Sequence, residues 1–197
     1  SDYLFKTKPY DKYKDDFNVN ALYVPSTESG TDKPHEGGFK ETYFNSSFNT
    51  LQSERYLMTP NFHKMKKMAA MSPHDQVVLL VNSSEYGGGA LYNLYAVTTS
   101  GDEHSGFVFT HELGHSFAGL ADEYEGNVTY DGYFSLEVEP WQPNITTLVD
   151  FKSKWEKICS ENVPIPTPKT DENKDKIGAF EGAGYRPEGV YRPTMAC

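Results

Sequence analysis

The stretch His111-Glu112-Leu113-Gly114-His115 constrains this chain more than any other feature of its sequence. Residues four apart lie one above the other on an α-helix, so the spacing predicts a helix that presents both imidazoles on one face. At about 100° per residue, His115 lies about 40° from His111. The opposite face, between about 160° and 240°, carries an apolar stripe made of Phe109, Leu113, Phe117 and Leu120. We expect the helix to bury this stripe and to turn its histidines toward a cleft.

Two imidazoles and a carboxylic acid in this arrangement are typical of a hydrolytic metal site. His111 and His115 can both bind one Zn²⁺ through ring nitrogens at roughly 2.0–2.1 Å. Glu112 is adjacent, so it can hold a metal-bound water as a general base without being a ligand. The alternative is a solvated surface helix. The apolar stripe and the small residues Gly114 and Ala118 beside the histidines favour the metal site.

A catalytic zinc usually has three protein ligands and an open position for water, so a third ligand is needed. Asp122 lies seven residues after His115, and on a straight helix it would be about 10 Å too far along the axis. Gly119 can end the helix and turn the chain back, because glycine accepts left-handed backbone angles. From the spacing alone, Asp122 and Glu123 are both candidates, and both could instead be surface residues.

The run from His111 to Asp122 resembles the metzincin zinc signature, H-E-x-x-H-x-x-G-x-x-H/D. The resemblance implies that Asp122 is the third ligand and favours it over Glu123. Ala118 stands at the usual glycine position of the signature, and the glycine follows one residue later. Metzincins also carry a methionine turn beneath the metal, and the resemblance assigns that role to Met195 in Y-R-P-T-M.

Three longer phrases are similar to peptidase family M64, the IgA peptidases or igalysins. They are H-E-L-G-H-S-F-A-G-L-A-D-E-Y, L-L-V-N-S-S-E-Y-G-G-G and G-A-G-Y-R-P-E-G-V-Y-R-P-T-M. The resemblance extends from about Phe17 to Met195. It implies a secreted or cell-surface bacterial zinc endopeptidase, with Zn²⁺ as its cofactor and a protein or peptide as its substrate.

The predicted fold is α/β (α+β), a metzincin-like zincin catalytic domain. We expect a twisted mixed sheet, the active-site helix and an irregular C-terminal subdomain that contains the methionine turn. The length of 197 residues suits one catalytic domain, residues 1–197. Within it, we predict an N-terminal subdomain of residues 1–118, with the sheet and the active-site helix, and a C-terminal subdomain of residues 119–197.

Local patterns predict further elements along the chain. The predicted strands are Phe17–Val24, Gln76–Val81 and Leu91–Thr98. The predicted helices are Thr42–Leu57, one that Thr59 caps and Pro60 opens, and Phe151–Cys159. Long loops are expected at Pro25–Gly38 and Asn162–Lys176, and a hinge or bulge at Gly87–Gly89. By resemblance to metzincins, the strand after the glycines would be the sheet edge that borders the cleft, where an extended substrate could pair.

Charge and composition limit the partners of the chain. A net charge of −10 disfavours nucleic acid and anionic membranes. No apolar run approaches the length of a membrane span. We also expect the protein to be a monomer. Cys159 and Cys197 are the two cysteines, and a disulfide and free thiols are equally open.

The motif predicts the chemistry of water activation but not the acyl group that is attacked. A second group could stabilise the oxyanion or contact substrate, and Tyr191, Tyr185 and Arg192 are candidates. One alternative function is a zinc amidase acting on cell-wall peptide or glycan. Another is a non-catalytic, metal-containing binding module. Glu112 argues against the module, because a structural zinc site has four protein ligands and needs no general base.

Overall fold

Two small sheets and a few helices form the regular structure of this chain. A computed structural model describes residues 2–126 and 135–196. The helices are α1 (Phe62–Ala69), α2 (Ser105–Ala118) and α3 (Phe151–Lys154), and the strands are β1 (Val78–Val81), β2 (Gly88–Leu91), β3 (Tyr95–Thr99), β4 (Phe180–Ala183) and β5 (Arg186–Arg192). This mixture agrees with the predicted α+β class, whereas the metzincin-like arrangement stays a prediction. Contacts divide the chain into two compact units, residues 1–118 and 119–197.

The sheet of the first unit is mixed and has the strand order β1-β3-β2. Strand β1 runs parallel to β3, and β2 runs antiparallel to it. All five residues of β3 are buried, which suits its β-branched and aromatic composition. The predicted strand at Gln76–Val81 is confirmed as β1. The predicted strand at Leu91–Thr98 is present as β3, although it begins at Tyr95. Its predicted place at the sheet edge is wrong, because β3 is central and β2 forms the edge beside it.

The three glycines before β3 are required by close packing, and the predicted hinge or bulge is wrong. Gly88 and Gly89 form the start of β2. A Cβ atom on Gly87 would lie 2.4 Å from a ring carbon of Phe48, and one on Gly88 would lie 2.6 Å from Cγ1 of Val108 on α2. Glycine is therefore present because the helix and the neighbouring chain approach the strand backbone directly.

The core of the first unit draws on segments without regular structure. Phe48 and Leu57 are fully buried and pack with Met65 of α1 and with Tyr95 and Val97 of β3. The predicted helix at Thr42–Leu57 is wrong, since this segment contains one 3₁₀ turn at residues 50–52 and isolated bridges. Left-handed backbone angles at several positions exclude a continuous helix. Those positions are Asn45, Asn49, Leu51 and Gln52.

Two further predictions for this unit need correction. Residues 17–24 form no strand, and Val19 and Tyr23 in this segment are 64% and 91% exposed, so the segment has no buried face. The alternation of apolar residues there does not reflect burial. The helix predicted to begin after Thr59 exists but starts at Phe62. The Thr59 hydroxyl oxygen accepts a hydrogen bond from the Asn61 N–H at 3.1 Å, one residue before the helix.

The second unit is built around a β-hairpin that the sequence did not predict. Strands β4 and β5 pair antiparallel, and Ala183 lies opposite Arg186 across a two-residue loop. Gly184 and Tyr185 in this loop have φ angles of 59° and 65°, the left-handed pair that a tight hairpin turn requires. The expected irregular C-terminal segment is therefore wrong for residues 180–192. Gly and Pro in this segment coincide with paired strands.

Other elements of the second unit are short. Helix α3 covers only the first four residues of the predicted Phe151–Cys159 helix, and residues 162–176 form neither helix nor strand, as predicted.

Cys159 forms no disulfide within the described residues, and Cys197 lies outside them. Across residues 2–126 and 135–196, none of the helices combines the length and the apolar character needed to cross a bilayer.

Candidate metal centre

The helix that carries the histidines is α2, and it ends where the sequence predicts. Its last residue is Ala118, and Gly119 follows with a left-handed φ of 66°. A residue with a Cβ atom would be strained in this conformation, so the glycine explains the break. The chain can then turn back toward the histidine face within four residues.

The two imidazoles of α2 converge on one point. The Nε2 atoms of His111 and His115 lie 3.0 Å apart, and their rings meet edge to face with centroids at 4.5 Å. Two nitrogens on one tetrahedral Zn²⁺ at roughly 2.0–2.1 Å would be roughly 3.3 Å apart. Phe107 stacks on the His111 ring with a centroid distance of 6.0 Å, which limits the positions of that ring. Both side chains are half-buried, and their geometry fits a shared cation.

The buried face of α2 differs from the predicted apolar stripe. Leu113 is buried as predicted, but Phe117 is 46% exposed and Leu120 is 37% exposed. Small residues take their place, because Gly114 and Ser116 are buried instead. The Ser116 carbonyl accepts a hydrogen bond from the Asn93 N–H at 2.8 Å, in the turn between β2 and β3. The prediction for Phe117 and Leu120 is therefore wrong, because the buried face of α2 carries Gly114 and Ser116 instead.

Glu112 lies against the edge strand of the sheet. A Cβ atom built on Gly88 would come within 3.0 Å of both Cγ and Oε1 of Glu112. The carboxyl group is half-buried and lies one residue from the first histidine. It is thus held beside the backbone of β2. This role of Gly88 was not predicted, although the run of three glycines at residues 87–89 is its signal in the sequence.

Asp122 completes a group of three metal-ligand side chains within one short segment. The ligand atoms of His111, His115 and Asp122 all lie within 4.8 Å of one another, and each side chain is half-buried. The Tyr185 hydroxyl donates a hydrogen bond to Oδ2 of Asp122. Two neutral imidazoles and one carboxylate are a donor set that suits zinc. These residues could hold a metal ion.

The neighbouring acid, Glu123, has different partners. Its Oε1 accepts a hydrogen bond from Nδ2 of Asn144 at 2.9 Å. Burial raises the pKa of the Glu123 carboxyl, although this hydrogen bond and the charge of Arg192 lower it. Glu123 is not part of the group of ligand atoms around the histidines. Of the two acids that the sequence left open, the geometry therefore favours Asp122.

The remaining predicted residues have described contacts within the C-terminal hairpin region. Arg192 is buried, and its guanidinium donates to the carbonyls of Glu123, Gly182 and Met195 at 2.7, 2.6 and 3.0 Å. Burial, together with the nearby Glu181 carboxylate, raises the pKa of Tyr191. These contacts are structural. The roles of Tyr191 and Arg192 at the oxyanion and of Met195 in a methionine turn stay predictions.

A second cluster of ligand side chains already contains a cation. His35, Glu36 and Glu85 bring their ligand atoms together on the surface. The Lys33 ammonium contacts the Glu85 carboxylate and lies 3.5 Å from that of Glu36. Because the lysine ammonium already pairs with both carboxylates, we assign no metal to this cluster.

Comparison with known proteins identifies the family. A family model described as IgA Peptidase M64 matches residues 1–177. The chain belongs to peptidase family M64. This is a family of metallopeptidases, so the chain is a peptidase, a hydrolase whose substrates are proteins. A search of curated proteins finds no match to this M64 peptidase. The matched range contains α2 and Asp122, whereas the hairpin of β4 and β5 lies beyond it.

Proposed function

We propose that this M64 peptidase is a zinc-dependent endopeptidase. His111, His115 and Asp122 would hold the ion, and Glu112 would be the general base. The observation that carries the proposal is the convergence of the three ligand side chains, with Nε2 atoms 3.0 Å apart and all ligand atoms within 4.8 Å. Membership of a metallopeptidase family supports it independently.

Zinc in such a site lowers the pKa of water toward 7 and polarises a carbonyl group. Glu112 would accept the proton of the attacking water and pass it to the leaving amine as the peptide bond breaks. Its side chain lies against the backbone of Gly88, and this contact restricts the positions that the carboxylate can take. In this scheme Glu112 would transfer the proton, and the side chains of His111, His115 and Asp122 would determine where the reaction takes place.

Strand β2 is our proposed binding edge for the peptide substrate. The Thr99 N–H donates to the Gly87 carbonyl, and the antiparallel alternation then directs the N–H and C=O of Gly88 and Ala90 away from β3. Gly88 uses these groups to bond Arg55 and Leu57. Ala90, two residues along, points its groups in the same outward direction. An extended peptide could add a strand there, close to Glu112.

The proposal is tested by the substitution Glu112→Gln. We expect zinc content to match the wild type and turnover to fall by about 10²–10⁴-fold, because Gln cannot accept the proton. Metal analysis and digestion of a peptide library measure the two quantities. Glu103→Gln is the matched control, since that carboxylate is 86% exposed near the start of α2. Wild-type turnover in Glu112→Gln would overturn the assignment.

A parallel digestion of cell-wall material, beside the peptide library, separates the alternative functions. Cleavage of internal peptide bonds supports the endopeptidase, whereas release of products only from cell-wall material would indicate the amidase. Inactivity of the wild type with zinc bound would indicate the binding module. The resemblance also leads us to propose secretion or cell-surface attachment in a bacterium. Cleavage of immunoglobulin does not follow from the motifs.

A further inference from the structure

The chain around Asp122 is held by hydrogen bonds from other segments rather than by a helix or a strand of its own. Residues 119–126 have no regular structure. The amide of Asn144 pairs with both backbone groups of Ala121: its Oδ1 accepts from the Ala121 N–H, and its Nδ2 donates to the Ala121 carbonyl, each at 2.8 Å. Nδ2 also donates to Glu123. One side chain therefore fixes the residues on both sides of Asp122.

The turn of the β4–β5 hairpin fixes the same segment from its backbone. The Gly184 N–H donates to the Asp122 carbonyl at 2.9 Å, and the Tyr185 N–H donates to the Tyr124 carbonyl at 3.1 Å. Backbone and side-chain bonds together hold residues 121–124 in one conformation. These bonds come from within the protein and do not involve an ion.

Tyr185 occupies a backbone conformation that opposes its side chain. Its φ of 65° belongs to the left-handed region, which costs an aromatic residue about 1 kcal/mol or more and which favours glycine or asparagine in this turn. The ring packs edge to face on Tyr124 with centroids at 5.2 Å. The hydroxyl donates to the Asp122 carboxylate and accepts from the Tyr124 hydroxyl at 3.4 Å. A strained residue with so specific a contact indicates a functional constraint.

We propose that Tyr185 is a positioning residue for the third metal ligand. The inference rests on the proposed function, in which Asp122 binds zinc. A hydrogen bond from the Tyr185 hydroxyl to one oxygen fixes the rotamer of the carboxylate, while the second carboxylate oxygen can bind a cation. Asn144 and Gly184 hold the backbone, and Tyr185 orients the side chain. Partners of metal ligands typically contribute 10–100-fold to metal affinity.

The test compares the zinc affinity of four metal-free proteins: wild type, Tyr185→Phe, Tyr191→Phe and Asp122→Ala. Competition with a chromophoric zinc chelator gives the affinity, and thermal unfolding of the metal-free proteins gives their stability. Tyr191 is the matched control, because it lies on the same hairpin and bonds Glu181 instead. We expect Tyr185→Phe to weaken zinc binding about 10–100-fold and Tyr191→Phe to leave it unchanged. The phenylalanine keeps the ring and its packing, so we expect both proteins to remain folded.

The outcomes separate this inference from the proposed function. If Asp122→Ala retains full zinc affinity, the proposed ligand set is wrong. If Asp122→Ala loses affinity but Tyr185→Phe matches Tyr191→Phe, only the positioning role is overturned. Turnover at saturating zinc adds a second readout. A normal kcat for Tyr185→Phe supports positioning, whereas a reduced kcat with normal zinc affinity overturns it in favour of an oxyanion contact.

Discussion

Glu139 and Lys154 form an ion pair that links the loop before α3 to the helix. Their charged atoms lie 3.1 Å apart, and the side chains are only 14% and 16% exposed. Lys154 also donates to the carbonyls of Pro140 and Ile145, each at 2.6 Å. Burial raises the pKa of the Glu139 carboxyl, but hydrogen bonds from Thr146, the Asp150 N–H and Lys154 together hold it below its ordinary value. The folded protein therefore favours the ionised carboxylate.

The substitution Glu139→Gln tests this ion pair. A depressed carboxyl pKa contributes stability above the unfolded value near 4.5 and loses it as the pH falls through the folded value. We expect a loss of about 1–3 kcal/mol in the free energy of unfolding at pH 7, and a smaller loss below pH 4. Denaturant unfolding at several pH values measures it. Glu172→Gln is the control, since its carboxylate is 85% exposed beside Lys176; an equal loss there would contradict the interpretation.

At the scale of elements, the contact between β2 and α2 positions Glu112, the proposed general base. Val108 and Glu112 are one helical turn apart, and both face Gly88. The strand backbone and the helix approach each other because this position has no side chain. A β-branched side chain such as Val108 cannot change its rotamer easily. The face of α2 that carries Val108 and Glu112 therefore cannot shift easily relative to Gly88.

Gly88→Ala should therefore displace Glu112. We expect kcat to fall at least about tenfold, with zinc retained, and the free energy of unfolding to drop by about 1–3 kcal/mol from overpacking. Steady-state kinetics, metal analysis and denaturant unfolding measure these effects. Gly38→Ala is the control, because its nearest neighbour would lie at an ordinary 3.8 Å. An unchanged kcat in folded Gly88→Ala would contradict this prediction, because the position of Glu112 would then not depend on the missing side chain at residue 88.

Ala90→Pro tests the proposed substrate edge. Proline removes an N–H that points away from β3, so the ladder with β3 should survive. We expect KM for peptides to rise about tenfold, which corresponds to about 1.4 kcal/mol and so to one lost hydrogen bond, while zinc content stays normal. Leu91→Pro is the matched contrast, because Leu91 faces Tyr95 in the ladder, and its loss should lower stability. Equal KM values for Ala90→Pro and the wild type would refute substrate pairing at this edge.

At the scale of the whole molecule, each compact unit depends on contacts between segments that are distant in sequence. The core of the first unit buries Phe48 and Leu57 from a segment without helix or strand. The second unit packs Ile145 against Ala183 and Val190 of its hairpin. The structures of residues 42–57 and 180–192 were predicted wrongly from their local patterns, because the burial of these residues comes from tertiary contacts. The predicted elements α2 and β1 are confirmed, and both are segments whose own periodicity or composition determines their structure.

The sequence by itself determined the family, the helix that bears His111 and His115, and its end at Gly119. The helix and its end follow from helical periodicity and from the left-handed freedom of glycine, which depend only on neighbouring residues. Only the tertiary structure placed Gly88 beside Glu112 and brought Tyr185 to Asp122, 63 residues earlier in the chain. Such contacts depend on which distant segments pack together, and no local pattern carries that information.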